Sequence, residues 1–425
     1  MIQIMKMGKL PEEEILRRET DTEDVSAAVR EILSEVRSRG DQALRDYSSR
    51  FDGISPASFR VAAEELAAAM QTADPAFLSV LREAAENIRA YHRNQCRSNY
   101  LTEAREGVLL GQRVLPLKTV GIYVPGGTAA YPSTVLMDAI PAQIAGVSRI
   151  VMVTPPAGDG SVNPNILAAA HIAGVTEIYK LGGAQAVAAL AYGTESVPSV
   201  DKIVGPGNAY VAEAKRQVFG QVGIDMVAGP SEVLVIADQH SDPAWVAADL
   251  LSQAEHDRMA SAVLITDTPS LAAAVQAELE RQLPLLRREE IARASIDRNG
   301  RILLVSELRE GIALANRLAP EHLELCVENP FDYLPKIRNA GSVFLGRYSP
   351  EPVGDYFAGP NHTLPTSGTA RFASPLSVDD FVKKMQFSYY TEDALRREHR
   401  KVSLFARQEG LTAHGRAVDI RFEKL

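Results

Sequence analysis

The sequence is poor in cysteine and lacks the long hydrophobic runs that define several classes of protein. Only Cys96 and Cys326 occur among its 425 residues, so a disulfide framework and a CxxC motif are both excluded. We expect both thiols to be buried small hydrophobes in a reducing cytoplasm. No run approaches 18 apolar residues, and no signal-peptide core is found near Met1. Neither a transmembrane helix nor secretion is therefore expected.

Basic charge is also in the minority. Lys and Arg number 45 against 54 Asp and Glu, which gives a formal net charge of −9. Proteins that bind nucleic acid usually carry a basic footprint. The basic cluster at residues 396–401 is interrupted by Glu398, as in a solvated helix face. The composition favours small-molecule chemistry, with no nucleic acid and no membrane as partners.

The pattern of apolar residues changes near residue 114. Before it, residues 22–100 are typical of helices, with apolar side chains at helical spacing from Val25 to Val36. After it, short apolar runs alternate with Ala-rich helical stretches such as Ser133–Val147 and Ala184–Tyr192. This alternation indicates βαβ units and parallel sheets. The candidate strands are Thr119–Val124, Arg149–Thr154, Glu177–Leu181, Lys202–Val204, Glu232–Ala237, Ala262–Thr266, Arg301–Val305, Leu323–Val327 and Ser342–Leu345.

Nine strands exceed one comfortable sheet, so we expect two α/β domains. The sheet pattern stops after residue 375, and residues 377–407 are polar with few apolar anchors, which predicts a helical tail. A tail with so few core-type residues does not fold alone. We expect it to pack on another surface, such as that of a second subunit.

Three turns rich in Gly and Pro lie beside predicted strands, at Val124–Thr128, Val204–Asn208 and Ala228–Ser231. Glycine lets backbone N–H groups approach a ligand closely, and open α/β sheets bind ligands beyond the carboxyl ends of their strands. Ordinary turn chemistry explains any one of these segments equally well. Together they favour a binding crevice. None is GxGxxG, so spacing alone indicates a nicotinamide cofactor only weakly.

Four of the eight histidines lie in polar segments that could carry chemistry. His256 follows Gln253 by three residues at the end of a helix that Ser241 or Asp242 caps, so the two can share one face. Such a pair can bind a metal, although a single hydrogen bond to a carboxylate explains it as well. Glu321 and His322 lie between a helix broken by Pro320 and a strand. This place suits proton transfer, but a solvated turn fits it equally.

The other two histidines lie in the C-terminal third of the chain. Residues 354–368 predict a long loop in which Asp355 and His362 are the ionisable members, and loops of this length are usually functional. His414 is close to the C-terminus, where a histidine is more often inert. Together Gln253, His256, Asp355 and His414 form an N/O ligand set that suits zinc. Their wide spacing permits this set without selecting it.

Seven segments resemble the histidinol dehydrogenase family, in one order over nearly the whole chain. They are Val120–Gly127, Leu181–Gln185, Val204–Tyr210, Ser252–Asp257, Ala319–Leu323, Gly354–Gly368 and Glu409–His414. The resemblance implies a homodimeric, zinc-dependent enzyme that oxidises L-histidinol to L-histidine through the aldehyde, using two NAD. It also implies two incomplete Rossmann-like domains with small N- and C-terminal extensions, the tail crossing to the partner.

The resemblance assigns roles to particular residues. It implies one zinc per subunit, held by Gln253, His256, Asp355 and His414, which would place these ligands at the substrate too. Glu321 and His322 would be the catalytic pair: His322 would take the alcohol proton and Glu321 would activate water for the second oxidation. Tyr123, Gln185 and Asn208 would contact NAD. The further substrate contacts would be Ser231, His322, His362 and Glu409.

The expected domain limits combine the pattern with the resemblance. An N-terminal arm covers residues 1–21, residues 22–118 and 235–375 form the first Rossmann-like domain, and residues 119–234 form the second. A helical tail, residues 376–425, packs on the partner subunit. Two other functions stay open on the residues alone. They are a zinc hydrolase with Glu321 as general base, and a metal-stabilised binding protein without chemistry.

Overall fold

The computed structural model describes residues 2–7, 24–54, 56–126 and 130–423. The chain divides into a larger unit, Met1–Gln95 with Leu117–Phe381, and a smaller unit, Cys96–Pro116 with Val382–Leu425. The strands of the described residues are β1 (Gln3–Lys6), β2 (Tyr100–Arg105), β3 (Val108–Pro116), β4 (Thr119–Tyr123), β5 (Arg149–Thr154), β6 (Glu177–Lys180), β7 (Lys202–Val204), β8 (Gly223–Ile224), β9 (Glu232–Ala237), β10 (Ser261–Thr266), β11 (Arg301–Leu304), β12 (His322–Cys326), β13 (Ser342–Leu345) and β14 (Val382–Tyr390).

The α-helices are named in the same way. They are α1 (Ser26–Arg39), α2 (Asp41–Phe51), α3 (Ala63–Thr72), α4 (Pro75–Arg93), α5 (Pro132–Ala145), α6 (Pro164–Ile172), α7 (Gly183–Tyr192), α8 (Ala209–Val218), α9 (Pro243–Ala254), α10 (Pro269–Gln282), α11 (Glu289–Asn299), α12 (Leu308–Leu318), α13 (Glu351–Tyr356), α14 (Glu392–Gln408) and α15 (Thr412–Asp419). None of these described helices is both long and apolar enough to cross a membrane.

Two parallel sheets form the larger unit. One has six strands in the order β1-β11-β10-β9-β12-β13, and the other has five in the order β6-β5-β4-β7-β8. Every strand pair in both sheets is parallel. All nine predicted strands are present, with bounds that differ from the prediction by no more than one residue. The prediction of two Rossmann-like α/β parts is confirmed.

Strand order reverses once in each sheet. In the five-stranded sheet β5 and β7 flank β4, and in the six-stranded sheet β10 and β12 flank β9. Crevices in open α/β folds form where the order reverses. The turns after β4 and β7 lie at the carboxyl edge, as predicted. Ser231 instead directly precedes β9, so its turn leads into the amino edge of the six-stranded sheet.

The helices of residues 26–93 pack on the five-stranded sheet. Leu66, Leu81 and Ile88 join a core with Val120 and Ile122, and α1 and α2 join a second core with β5 and α7. The predicted domain limits group these helices with residues 235–375, whereas the cores they join consist of residues 120–222 with Leu376 and Phe381. An amphipathic stripe shows that a helix face is buried but not which sheet buries it. The domain limits themselves stay a prediction.

The smaller unit combines an antiparallel sheet, in the order β14-β3-β2, with helices α14 and α15. The prediction of a helical tail was wrong for Val382–Tyr390, which pairs with β3 along its whole length. Met385, Phe387 and Tyr389 alternate along this strand at period two. This alternation is a strand signal that the helical prediction, based on few apolar anchors, did not take into account.

The N-terminal arm predicted over residues 1–21 lies mostly outside the described residues. Its described part includes β1, which pairs in parallel with β11 at the edge of the six-stranded sheet. Ile2 is buried in the core beneath that sheet. The beginning of the chain therefore contributes to the larger unit as a strand.

Candidate active site

His322 and Glu321 lie at the amino edge of the six-stranded sheet. Helix α12 ends at Leu318, Ala319 adopts a left-handed conformation with φ of 47°, and β12 begins at His322. Parallel pairing places His322 between Val233 of β9 and Ser342 of β13. Strands β9 and β13 on either side fix the backbone of His322. The connection between α12 and β12 is therefore rigid at the proposed catalytic pair.

The hydrogen bonds of His322 define which ring nitrogen carries the proton. Nδ1 lies 3.0 Å from the carbonyl oxygen of Glu232. A carbonyl only accepts, so Nδ1 carries the hydrogen and Nε2 carries the lone pair. Nε2 is buried and has no hydrogen-bond partner. Burial, together with the nearby His256 and His362, lowers the pKa of His322 to about 3. The ring is therefore a neutral base with a free lone pair.

The Glu321 carboxyl is fixed beside this ring. Its Oε2 accepts a hydrogen bond of 2.8 Å from the backbone N–H of Glu232 and lies 3.6 Å from His322 Nδ1. Burial raises the pKa of Glu321 well above its usual range, and the carboxylates of Glu232 and Glu351 raise it further. Such a carboxyl exchanges protons nearer neutral pH than an exposed glutamate does, as a general base requires.

Helix α13 brings two more carboxyls to His322. Glu351 Oε1 and Asp355 Oδ1 lie 3.8 and 3.9 Å from His322 Nε2. Burial raises the pKa of Asp355 well above its usual value, and the Glu351 and Glu321 carboxylates add to this. Asp355 was predicted within a long loop, but it lies on α13 and the loop begins after Tyr356. The three glycines and two prolines of residues 354–368 favour a loop, and Gly354 is nevertheless helical.

Glu351 is a site residue that the sequence analysis missed. Its side chain is buried, and Oε1 has no hydrogen-bond partner, while Oε2 accepts a bond of 3.2 Å from Ser252. It precedes Asp355 by four residues, so the two share one face of a helix. That spacing is the signal that could have found it.

His362 is held between α13 and α5. Its Nδ1 lies 3.1 Å from the Asp355 carbonyl oxygen, and its Nε2 lies 3.3 Å from the Thr134 hydroxyl. Nδ1 also lies 3.8 Å from Asp355 Oδ1. Burial, together with His256, lowers the pKa of His362 to about 4. A neutral His362 therefore lies next to Asp355, and its contact with substrate stays a prediction.

Gln253 lies in the last turn of α9, as predicted, whereas His256 lies in the turn that follows the helix. The Asp242 side chain caps this helix by accepting from Ala244 N–H, and Pro243 occupies its first turn. Gln253 is buried with its Oε1 unpartnered. His256 N–H donates to the Gln253 carbonyl across the following turn. Burial lowers the pKa of His256, and the Arg288 guanidinium lowers it further.

The donor set fits a divalent cation. Gln253 Oε1 and Glu351 Oε1 are buried acceptors without a hydrogen-bond partner. Ligand atoms of Glu351 and Asp355 lie within 4.8 Å of each other and of a ring nitrogen of His322. Unsatisfied buried acceptors are rare in proteins, and a cation satisfies several of them at once. The Glu351 and Asp355 carboxylates therefore suit a cation beside His322, and Gln253 has another unsatisfied buried oxygen.

A second group of possible ligands lies further along the same strand. Asp249, Glu324 and Cys326 have ligand atoms within 4.8 Å of one another. Cys326 is buried, as predicted, whereas Cys96 is exposed. Burial raises the pKa of the Cys326 thiol, and the Glu324 carboxylate raises it further, so it stays protonated. This thiol is not a reactive nucleophile.

A cavity of about 290 Å³ opens beside His322, Asp355 and His362. Its apolar wall includes Phe344 and Leu364. The volume is close to the roughly 300 Å³ at which small-molecule sites begin. A small polar molecule in this cavity can contact the base, a carboxylate and a second imidazole together.

The residues predicted to contact NAD lie at the carboxyl edge of the five-stranded sheet. Tyr123 ends β4, and its buried hydroxyl accepts a hydrogen bond of 3.0 Å from Gly183 N–H. Gln185 is buried in the first turn of α7 with its Oε1 unpartnered. Asn208 caps α8 by accepting from Tyr210 N–H and Val211 N–H. Gly127 and Thr128 of the first turn lie outside the described residues.

Two predicted site residues belong to the smaller unit. Glu409 follows the last residue of α14, and His414 lies in the first turn of α15. Both side chains are exposed. Their roles at the substrate and the metal stay predictions.

Comparison with known proteins identifies relatives over almost the whole chain. Residues 15–422 match the family model described as histidinol dehydrogenase. A histidinol dehydrogenase of Geobacillus kaustophilus is 54% identical over 422 residues, covering 99% of this chain and 100% of the relative. One from Bacillus cereus (strain ATCC 10987 / NRS 248) is 57% identical over 402 residues, covering 95% and 94%.

A crystal structure of histidinol dehydrogenase from Elizabethkingia anophelis superposes with a TM-score of 0.94. It is 40% identical in sequence, and the match covers 99% of this chain and 98% of that one. The chain belongs to the histidinol dehydrogenase family.

Proposed function

We propose that this protein oxidises L-histidinol to L-histidine through L-histidinaldehyde with two NAD, the last steps of histidine biosynthesis, in the cytoplasm. The observation that carries the proposal is the unpartnered Nε2 of a neutral His322, buried beside Glu321 at the edge of a cavity. The relatives at 54–57% identity are histidinol dehydrogenases, which supports the substrate. An NAD-linked dehydrogenase requires such a base next to the carbon that is oxidised.

His322 is the base for the alcohol. Because Nδ1–H is occupied by the Glu232 carbonyl, Nε2 is the atom that accepts the hydroxyl proton. The same backbone bond keeps the ring oriented as the proton arrives. Glu351 and Asp355, each within 4 Å of Nε2, stabilise the imidazolium that results.

Glu321 serves the second oxidation. An aldehyde must add water before it can release another hydride, since only the hydrated form carries hydrogen and hydroxyl on the same carbon. A carboxyl whose pKa is raised by burial can take a proton from that water near neutral pH. His322 then accepts a proton again as the hydrate is oxidised.

Zinc and NAD are the cofactors that we propose. Gln253, His256 and Asp355 would hold one zinc per subunit together with His414. When bound, zinc would hold the amine and imidazole of the substrate in place, and NAD would accept the hydride in each oxidation. Tyr123, Gln185 and Asn208 would contact NAD. Ser231, His362 and Glu409 would contact the substrate.

A homodimer with shared sites is part of the proposal. The smaller unit leaves large apolar side chains in water, among them Leu404 and Phe405 of α14 and Met385 of β14. Strand β14 is exposed along most of its length. Surfaces of this kind mark interaction sites. A second copy of this chain is the partner, and it would supply His414 and Glu409 to the other copy's site.

The test is the yield of NADH. Purified protein is mixed with zinc, excess NAD and limiting L-histidinol, and absorbance in the near ultraviolet is followed to completion. Two NADH per histidinol support the proposal. One NADH per histidinol means that oxidation stops at the aldehyde. A protein that makes no NADH from histidinol contradicts the proposal and leaves a zinc hydrolase with Glu321 as base, and zinc-dependent binding of histidinol without turnover favours a binding protein.

A further inference from the structure

The backbone N–H and carbonyl of Gly205, in the turn after β7, both form hydrogen bonds to buried charged side chains. Gly205 N–H donates to Asp225 Oδ2 at 2.8 Å, and the Gly205 carbonyl accepts from Lys215 Nζ at 2.9 Å. Lys215 and Asp225 also form an ion pair with each other. One ion pair therefore satisfies both backbone groups of a single turn residue.

This pair is buried to a degree that is rare for charged side chains. The Lys215 and Asp225 side chains retain 2% and 1% of their exposure. Burying two charges is expensive, and the same space filled by apolar groups is often as stable or more so. Stability alone therefore does not account for the pair. The charges of the pair instead hold the backbone of Gly205 in a specific geometry.

Gly205 needs that support because its conformation is unusual and crowded. Its φ is +108°, in the region that side chains rarely adopt. A side chain there would collide with the carbonyl oxygen of Tyr123 and approach Asp138 Oδ2. The backbones of β4 and β7 thus come close where the strand order reverses, next to the residues proposed to contact NAD.

The same ion pair also links the turn to helix α8, whose N-cap is Asn208. Lys215 is on α8 itself, so its bond to Gly205 joins the helix to the turn that precedes it. Asp225 follows β8 and accepts from Met226 N–H as well, which anchors it to the next segment. The turn from Gly205 to Asn208 is therefore held from the helix after it and from the strand beside it.

We propose that Lys215 and Asp225 are positioning residues of the dinucleotide site. They hold the Gly205–Asn208 turn in the geometry that binds NAD, without touching the substrate. The inference rests on the proposed function, because it assumes that NAD binds at this edge. Preorganised backbone groups bind a ligand more tightly because little freedom is lost on binding.

The test compares Lys215→Met and Asp225→Asn with the wild-type holoenzyme. Affinity for NAD is measured by calorimetric titration, and the KM values and kcat by NADH formation from L-histidinol. We expect the KM and Kd for NAD to rise about 10-fold or more. The KM for histidinol and kcat at saturating NAD should change less than about threefold, because the cavity at His322 is untouched.

Lys202→Met is a matched control on the same strand that leads into the turn. Lys202 pairs with Asp380 at 2.9 Å and lies at the amino end of β7, away from Gly205. Its loss should leave NAD affinity unchanged. Lys215→Gln replaces Lys215→Met if circular dichroism shows that the latter does not fold.

The outcomes separate this inference from the function on which it rests. A wild type that makes no NADH from histidinol overturns the proposed function. A wild type that does so, with folded Lys215 and Asp225 variants of normal NAD affinity, overturns the inference alone. An equal loss in both substrates and in kcat also overturns it, since that indicates general loss of structure.

Discussion

His322 has the two properties of a general base, a free lone pair and a fixed orientation, and both depend on one backbone bond. We predict that His322→Asn lowers kcat by about 10²–10⁴-fold, the usual loss for a general base. Bound zinc, measured by atomic absorption, should not change, because Gln253, His256 and Asp355 remain. Near-normal turnover in this variant removes His322 from the chemistry.

Glu321 should matter more for the second oxidation than for the first. We predict that Glu321→Gln, which keeps the side-chain oxygen that accepts from Glu232 N–H, slows oxidation of histidinaldehyde more than that of histidinol. The amide cannot take a proton from water. Single-turnover experiments started from each substrate separate the steps. Equal slowing of both would refute water activation by Glu321.

Outside the candidate active site, the protonation of His92 should affect the free energy of unfolding. It is fully buried, with Nδ1 at 2.7 Å from Gln95 Oε1, and burial lowers its pKa below the ordinary 6.5. The unfolded chain therefore binds more protons than the folded one as pH falls below that value, so stability falls with it. We predict that wild type loses more unfolding free energy than His92→Phe between about pH 7 and about pH 5. Urea unfolding at each pH measures the difference, and parallel curves would contradict the prediction.

Residue types could be predicted better than their chemical state. Glu321 and His322 were recognisable because an acid and an imidazole adjoin between a helix and a strand. The protonated nitrogen of His322 was not, because it depends on the carbonyl of Glu232, 90 residues away. Glu351 was missed because Asp355 was predicted in a loop, where a spacing of four residues does not place two side chains on one face, and its burial against Ser252 and His322 depends on the fold.

At the scale of elements, helix α5 anchors the loop that carries His362 through hydrogen bonds. Thr134 contacts His362 directly, Asn361 donates to the Met137 carbonyl at 2.6 Å, and Thr363 donates to Asp138 Oδ1 at 3.0 Å. Asp138 is fully buried, and burial raises its pKa well above the usual value. Three consecutive loop residues are thus tied to one helix.

The hydrogen bond between Thr363 and Asp138 predicts that substitutions at these two positions have coupled effects. Asp138→Leu or Thr363→Val alone leaves a buried polar group without its partner and should raise the KM for histidinol several-fold. The double variant should be no worse than either single one, because replacing both partners by apolar groups is often nearly neutral. Thr119→Val, at the amino end of β4, is the control. Additive losses in the double variant would show that the pair acts separately.

Strands were predictable where both faces are buried and hidden where they are not. Strands β4, β9 and β12 are buried along their whole length, as in a parallel sheet with both faces covered. Strands β2 and β14 are exposed along most of their length, and antiparallel pairing with β3 defines them. The partner of β14 lies far away in sequence, so periodicity in its own segment could not reveal the sheet.

At the scale of the whole molecule, the residues proposed to hold zinc come from different units. Gln253, His256 and Asp355 belong to the larger unit, whereas His414 belongs to the smaller one. The smaller unit has few buried side chains of its own, with Ala394, Ser403 and Ala406 the buried positions of α14. A unit of this kind gains stability by covering its apolar surface with another chain. Dimer formation and completion of the site would then be one event.

Mixing two inactive variants tests this sharing directly. We predict that His322→Asn and His414→Asn are each nearly inactive alone, and that dimers reassembled from both recover activity. In a mixed dimer, the site that combines an intact His322 with the partner's intact tail has every residue. About a quarter of wild-type activity should return, since half of the dimers are mixed and one of two sites in each is complete. His240→Asn, at an exposed histidine, should be active alone. If each chain completes its own site, both sites of a mixed dimer carry one lesion, and reassembly restores nothing.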